Sequence, residues 1–349
     1  MRALRFTDWK TKPTLQDVDR PTPGPGEVLL KVAGAGACHS DVAAYDDFEA
    51  ATAPKGMTPP FTLGHETSGW AEELGEGVTG IALGEAFLVY GPIGCGRCVP
   101  CSKGQDTYCE RVAEMPYLAT GLGRDGGMAE YVTVPARNLV PLGDADPVAA
   151  APLADAALTP YHAISLALPV LAKGGSTALV IGLGGLGQIA VQILTALTGA
   201  TVYVTDRKQD AVDRAVARGA IAIDASGDQA AQLREATGGT GVDAVFDLVG
   251  ATPTIQLGQA VLARGGRLSV VGIAGGEVSW SFFTNPYEAV ITNTYWGSIA
   301  DLHEVVAMYQ RGQIVPDVER FSLEDAPEAY RRLEEGTLDA RAVIVPHAG

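Results

Sequence analysis

Between Thr177 and Asp206 the chain reads TALVIGLGGLGQIAVQILTALTGATVYVTD, and no other stretch limits its folding so tightly. Gly174 through Thr205 carries no charged residue, a span long enough to suggest a membrane helix. Seven glycines punctuate it, however, and TALVI and TVYV are β-branched runs of strand length on either side of a helix-length middle. The segment reads as strand, helix, strand. Gly182, Gly184 and Gly187 form G-x-G-x-x-G at the strand-to-helix turn, and Asp206 ends the second strand. That context separates a dinucleotide site from a chance tight turn. Glycines let the backbone approach a pyrophosphate, the helix N-terminus offers unpaired N–H groups, and an acidic residue about 20 positions on can accept from ribose hydroxyls. The expected cofactor-binding turn is Gly182, Gly184, Gly185, Leu186 and Gly187, with Asp206 favouring NAD and the adjacent Arg207 and Lys208 keeping NADP open.

The same alternation continues through AVFDLVG and RLSVVGI up to about Gly297, which predicts βαβ units and a parallel sheet over residues 157–297. The preceding residues are different in texture. They are rich in Gly, Pro and short apolar runs such as EVLLKVAGAGAC and MAEYVTVPARNLV, predicting a loop-heavy, mainly β unit. The tail, from DLHEVVAMYQRG to ARAVIVP, predicts two amphipathic helices and a closing strand that return to that first unit, giving 1–156 with 298–349 as one domain. A chain of 349 residues suits two such domains. Its 41 acidic against 25 basic residues give a formal charge of −16, which repels nucleic acid and anionic lipid surfaces. The N-terminus lacks an apolar signal core, so a cytoplasmic location is expected.

Four of the five cysteines crowd into GPIGCGRCVPCSKGQDTYC, within a lobe over residues 91–110. Cys95, Cys98, Cys101 and Cys109 follow C-x2-C-x2-C-x7-C, in which closely spaced pairs present thiolates to one ion. Four such ligands close a tetrahedral shell, which is the structural type of zinc site. An iron–sulfur cluster and disulfides are the alternatives. The last spacing departs from the bacterial cluster pattern, and an odd cysteine count in a reducing compartment argues against full pairing.

Cys38, in GACHSD, stands apart, and a lone cysteine is commonly just a small buried hydrophobe. Its company suggests otherwise: His65 and Glu66 in GHE, and Asp155 within the apolar APLADAALTPYHA, supply further ligand types. Three protein ligands leave a tetrahedral position open for substrate. Asp155 as a helix N-cap and His65 as a hydrogen-bonded core histidine remain open on the residues alone.

GHETSGWAEELGEGV (G-H-E-x2-G-x5-G-x2-V), CHSD, the four-thiol lobe and the glycine turn together resemble the zinc-dependent medium-chain dehydrogenase/reductase family, in particular its alcohol dehydrogenases. LADAALTPYHA and YWG are similar to bacterial secondary-alcohol dehydrogenases of actinobacterial type. The resemblance covers essentially the whole chain. It implies an α/β protein with a GroES-like β-barrel catalytic domain and a Rossmann doubly wound domain, one catalytic and one structural zinc, and NAD as cofactor. It further implies Cys38, His65 and Asp155 as catalytic ligands, with Glu66 exchanging into the shell, Asp41 orienting the histidine and Ser40 taking the alcohol's proton. His39, Thr159, Val249, Val271, Ile273 and Arg341 become cofactor contacts; the valines as core and Arg341 as a surface charge are the plainer readings. Ala43 stands where many relatives place a relay histidine.

Phe48, Leu122, Phe283, Tyr295 and Trp296 are the expected substrate lining, with core packing as the alternative, and would favour hydrophobic secondary alcohols and ketones. A zinc polyol or sugar dehydrogenase is the rival enzyme reading, and a zinc-ribbon interaction module is the rival from another class. The resemblance also implies a homotetramer or homodimer.

Overall fold

A computed structural model describes residues 1–347, and the chain divides into two compact units. The first comprises 1–156, 298–310 and the residues from 316 onward; the second comprises 157–297 and 311–315. The short stretch 311–315 thus belongs with the second unit, where the sequence places it in the first.

The first unit is built on a seven-stranded sheet whose spine is Glu27–Gly36, flanked by Glu66–Leu74 on one side and the late strand Arg341–Val345 on the other. The spine's Val, Leu and Ala run is buried along nearly its whole length, so both faces of the strand are covered. Val28, Leu30, Val32, Ala71, Phe87, Val89, Val132 and Val134 form the core against it. A strand the sequence did not reveal, Val318–Ser322, pairs in parallel with Arg341–Val345 at the sheet's end. None of its residues is fully buried and Arg320 is exposed, which explains the missing apolar alternation. The two tail helices are Ile299–Gln310 and Ala326–Glu334, the second burying Ala326, Ala329, Tyr330 and Leu333 on one face.

The second unit is a six-stranded, wholly parallel sheet in the order Ile221–Ala222, Thr201–Thr205, Thr177–Ile181, Val242–Asp247, Leu262–Val270, Val290–Asn293. Numbered along this unit, that order is 3-2-1-4-5-6, the doubly wound arrangement of dinucleotide-binding folds. The charge-free segment resolves as strand Thr177–Ile181, helix Gly185–Leu197 and strand Thr201–Thr205. Among the described residues no helix is long and apolar enough to cross a membrane.

The glycine turn is constrained sterically. Gly182 has φ of 89°, a left-handed conformation that side chains resist, and a Cβ on Gly187 would lie 2.0 Å from the Gly182 carbonyl oxygen. A Cβ on Gly184 meets nothing within 4 Å. Gly187→Ala should therefore destabilise the protein by about 1–3 kcal/mol, because backbone must move. Gly184→Ala should stay within about 0.5 kcal/mol of wild type. Urea unfolding of the two variants tests this, and equal midpoints would contradict the packing described.

Candidate metal centres and dinucleotide turn

The strand Glu27–Gly36 delivers the chain to Cys38, which lies at the N-terminus of the helix His39–Asp46. His65 immediately precedes the neighbouring strand Glu66–Leu74, whose register sets Glu66 opposite Gly36. A Cβ at residue 36 would fall 1.9 Å from a Glu66 carboxylate oxygen, so glycine there makes the room that this side chain occupies. Asp155 follows the short helical turn Ala151–Ala154.

These segments bring Cys38, His65, Glu66 and Asp155 together, one ligand atom from each lying within 4.8 Å of the others. Cys38 Sγ is 3.6 Å from Asp155 Oδ2, and His65 Nε2 is 3.5 Å from the same oxygen. Donors about 2.0–2.3 Å from a tetrahedral zinc stand about 3.4–3.8 Å apart, so thiol, imidazole and carboxylate are already at ligand spacing. The helix Leu158–Leu171 starts after Ala157 without a side-chain cap, so Asp155 is not the N-cap that the sequence left open. His65 has Asp41 on its other ring nitrogen, Nδ1 to Oδ1 at 3.0 Å. Burial alone would lower the imidazole pKa, but Asp41 and Asp155 raise it well above the usual value. A metal at Nε2 therefore displaces a proton.

Glu66 is wholly buried and grips Arg341 with both oxygens, one bond being Nε to Oε2 at 3.0 Å. Burial pushes the Glu66 carboxyl up to about 7, against the pull of Arg341 and with help from Asp155. Arg341 is thus a buried partner of Glu66, not the surface charge of the plainer reading. Ser40 is half-buried, its Oγ 3.7 Å from Cys38 Sγ, while His39 is exposed.

Cys95, Cys98, Cys101 and Cys109 form the second cluster, again with sulfurs within 4.8 Å of one another. All are free thiols, and Cys98 Sγ to Cys109 Sγ is 4.0 Å, far outside disulfide length. Backbone N–H groups aim at the sulfurs: Cys98 N donates to Cys95 at 3.4 Å, and Cys95 N and Arg111 N donate to Cys109 at 3.3 and 3.4 Å. The amides of Arg97 and Cys98 pull the Cys95 thiol down to about 6, whereas burial pushes Cys101 up. A set of four sulfurs with amide support fits a closed structural metal site.

In the second unit, Gly182, Asp206, Val249, Val271 and Ile273 all follow the carboxyl ends of parallel strands, where doubly wound sheets bind ligands. Asp206 accepts from Leu183 N at 2.6 Å and from Lys208 N at 2.8 Å, which ties it to the glycine turn. Val249 is half-buried, Val271 and Thr159 are buried, and Ile273 is 58% exposed. Of the expected substrate lining, Leu122 and Trp296 are buried and Phe48 is half-buried, whereas Phe283 is 88% exposed in an aromatic surface stretch with Trp280 and Phe282. Tyr295 is 48% exposed.

Two supporting residues had no individual expectation. Gln188, buried on an otherwise apolar helix face, donates to the carbonyls of Leu183 and Ala211 and so braces the turn. Asp247 accepts from Val249 N and Gly250 N and from the Thr254 hydroxyl. A lone polar residue inside an apolar pattern was the available signal in both cases.

Residues 24–144 match the alcohol dehydrogenase GroES-like domain, and residues 185–311 match the zinc-binding dehydrogenase domain. The chain belongs to the zinc-type alcohol dehydrogenase family of medium-chain dehydrogenases/reductases. It is 33% identical to an NADP(+)-dependent D-arabinose 1-dehydrogenase of Saccharolobus solfataricus, covering 95% of this chain and 94% of that one. Among solved structures, an alcohol dehydrogenase of Aeropyrum pernix matches with a TM-score of 0.90 and 33% identity, over 99% of this chain and 100% of that one. An acetophenone reductase of Geotrichum candidum in complex with NAD matches with a TM-score of 0.83 and 30% identity, over 99% and 97%.

Removing one partner of the Glu66–Arg341 pair strands a buried charge. Arg341→Ala should cost about 3–5 kcal/mol of stability, and the double variant Glu66→Gln, Arg341→Met should recover much of it. Denaturant titration reads both, and an Arg341→Ala variant as stable as wild type would contradict the pair's buried character.

Proposed function

We propose that this chain transfers hydride between NAD and alcohol/ketone pairs, chiefly hydrophobic secondary alcohols, with the first unit as the catalytic domain and the second as the cofactor domain. The observation that carries the reading is the convergence of Cys38, His65 and Asp155 at zinc-ligand spacing, with Glu66 behind them. When bound, zinc supplies a Lewis acid that makes the alcohol a stronger acid, and the nicotinamide supplies the hydride acceptor. The remaining roles belong to the chain. Ser40, beside the first ligand and half-buried, takes the alcohol's proton and hands it to solvent directly, since Ala43 carries no titratable group. Asp41 holds the His65 ring from behind. The glycine turn admits the pyrophosphate, and Thr159, Val249, Val271 and Ile273 line the nicotinamide side; Arg341 serves Glu66 and has no part in holding the cofactor in this reading.

Asp206 keeps lone pairs for the ribose hydroxyls while its charge opposes a 2′-phosphate, which supports NAD over NADP. Cys95, Cys98, Cys101 and Cys109 hold the structural zinc. Phe48 and Leu122 of the first unit are the apolar side chains of the substrate site in this reading. The similarity to an acetophenone reductase supports the substrate class, and the similarity to an arabinose dehydrogenase keeps sugars as the second reading. Five free cysteines suit a cytoplasmic setting.

Elemental analysis should find two zinc ions per chain, and Cys38→Ser should abolish turnover while retaining the four-cysteine ion. NADH should form faster with 2-alkanols and 1-phenylethanol than with sorbitol or glucose, and Asp206→Ala should weaken NAD more than NADP. Comparable efficiency on sugars would overturn the substrate class; near-normal turnover of Cys38→Ser would overturn the site.

The reading includes a homo-oligomer. The sheet of the second unit ends in Val290–Asn293, an edge strand, and the segment before it exposes Trp280, Phe282 and Phe283, features suited to pairing with a second copy. Sedimentation should give a multiple of the 36.2 kDa chain mass, lowered by Phe282→Glu with Phe283→Glu. A wild-type monomer would refute it.

A further inference from the structure

Asp41 is a carboxylate removed entirely from solvent, and such a group keeps its charge only if donors surround it. Three do. Oδ1 faces His65 Nδ1 at 3.0 Å, while Oδ2 accepts from Cys38 N at 3.1 Å and from the Tyr330 hydroxyl at 2.8 Å. Two of these donors come from the metal cluster's own residues, His65 and Cys38. The third arrives from the helix Ala326–Glu334, 289 residues along the chain.

We propose that Tyr330 is a positioning residue of the metal centre: its phenol fixes Asp41, and Asp41 in turn sets the ring orientation of His65. This rests on the reading of Cys38, His65 and Asp155 as metal ligands. A correctly aimed Asp41 holds Nδ1 of His65 and so keeps Nε2 turned toward Asp155. Without the Tyr330 bond, one Asp41 oxygen loses its strongest neutral donor in a site that water does not reach. Carboxylate rotation then loosens the imidazole.

The surroundings hold Tyr330 to this task. Its ring is buried and meets Tyr45 edge to face, with centroids 6.2 Å apart at 82°. The Tyr45 hydroxyl donates to Glu334 Oε1 at 2.6 Å, and Lys12 Nζ reaches the same oxygen at 2.6 Å, so the end of the helix is tied down on its outer side. Burial and the Asp41 charge keep the Tyr330 phenol protonated, and a protonated phenol can donate.

Tyr330→Phe keeps the ring and removes only the hydroxyl; Tyr45→Phe removes the neighbouring hydroxyl, which bonds Glu334, and leaves the Asp41 bond intact. Zinc affinity is measured on the full chain by competition with a chromogenic chelator, with the four-cysteine site as internal reference. Cobalt-substituted protein gives the ligand-field absorption of the open site. The expected result for Tyr330→Phe is about tenfold weaker zinc at the open site and a shifted cobalt band, with the four-cysteine site unchanged and Tyr45→Phe like wild type. Unchanged affinity and spectrum in a folded Tyr330→Phe would overturn the proposal. So would equal losses in both tyrosine variants or at both metal sites, which would assign the effect to packing. Wild-type protein that takes up zinc only at the four-cysteine lobe would refute the metal-centre reading itself, and this inference with it.

Discussion

An excess of negative groups in a space without water governs the first unit. Asp41, Glu66 and Asp155 converge on one imidazole and one guanidinium, with Cys38 Sγ beside them, and all but Asp155 are nearly or wholly buried. Burial is the main force that pushes Glu66 up to about 7, and the nearby Asp155 charge adds to it. Arg341 neutralises one carboxylate and His65 cannot neutralise the rest. A divalent cation among the thiol, imidazole and carboxylate balances the set, so the chemistry of the donors and their electrostatics ask for the same occupant.

The two metal clusters answer this demand differently. The four-cysteine lobe is local: fifteen consecutive positions from Cys95 to Cys109 supply every sulfur, backbone amides support them, and the pair Arg137–Asp106 pins the lobe to the unit. The other cluster draws on three separate segments, and its order depends on strand register and on glycine at position 36. Local closure suits a staple that contributes folding energy, whereas an assembly of distant segments leaves one side of the ion for chemistry.

This difference also explains what the sequence disclosed. Spacing exposed the cysteine lobe, and spacing with its flanking strand, helix and Asp206 exposed the glycine turn, because each is a short-range device written in nearby residues. The parallel sheet was legible for the same reason, as strand-length runs alternated with helix-length ones. The fit of Cys38, His65 and Asp155 needed the family resemblance, since nothing local links residues 27 and 90 positions apart in the chain. Asp155 read as well as a helix cap until its carboxylate was seen facing Cys38 and His65. Tyr330 was invisible: a tyrosine on an amphipathic helix looks like core, and only the tertiary bond to Asp41 distinguishes it. Phe283 shows the converse, an aromatic that the resemblance assigns to the substrate lining and that stands 88% exposed.

The first unit's discontinuity has a consequence for how the molecule is made. Residues 157–297 form nearly all of the second unit and can collapse as soon as they emerge during synthesis, while the first unit lacks a sheet strand until Arg341–Val345 arrives. Until then Glu66 is without its guanidinium and Asp41 without its phenol, so the nascent N-terminal half waits with incompletely matched charges. Completion of this buried charge set is thereby coupled to completion of translation: a truncated chain holds a nearly finished parallel sheet and an unfinished metal cluster.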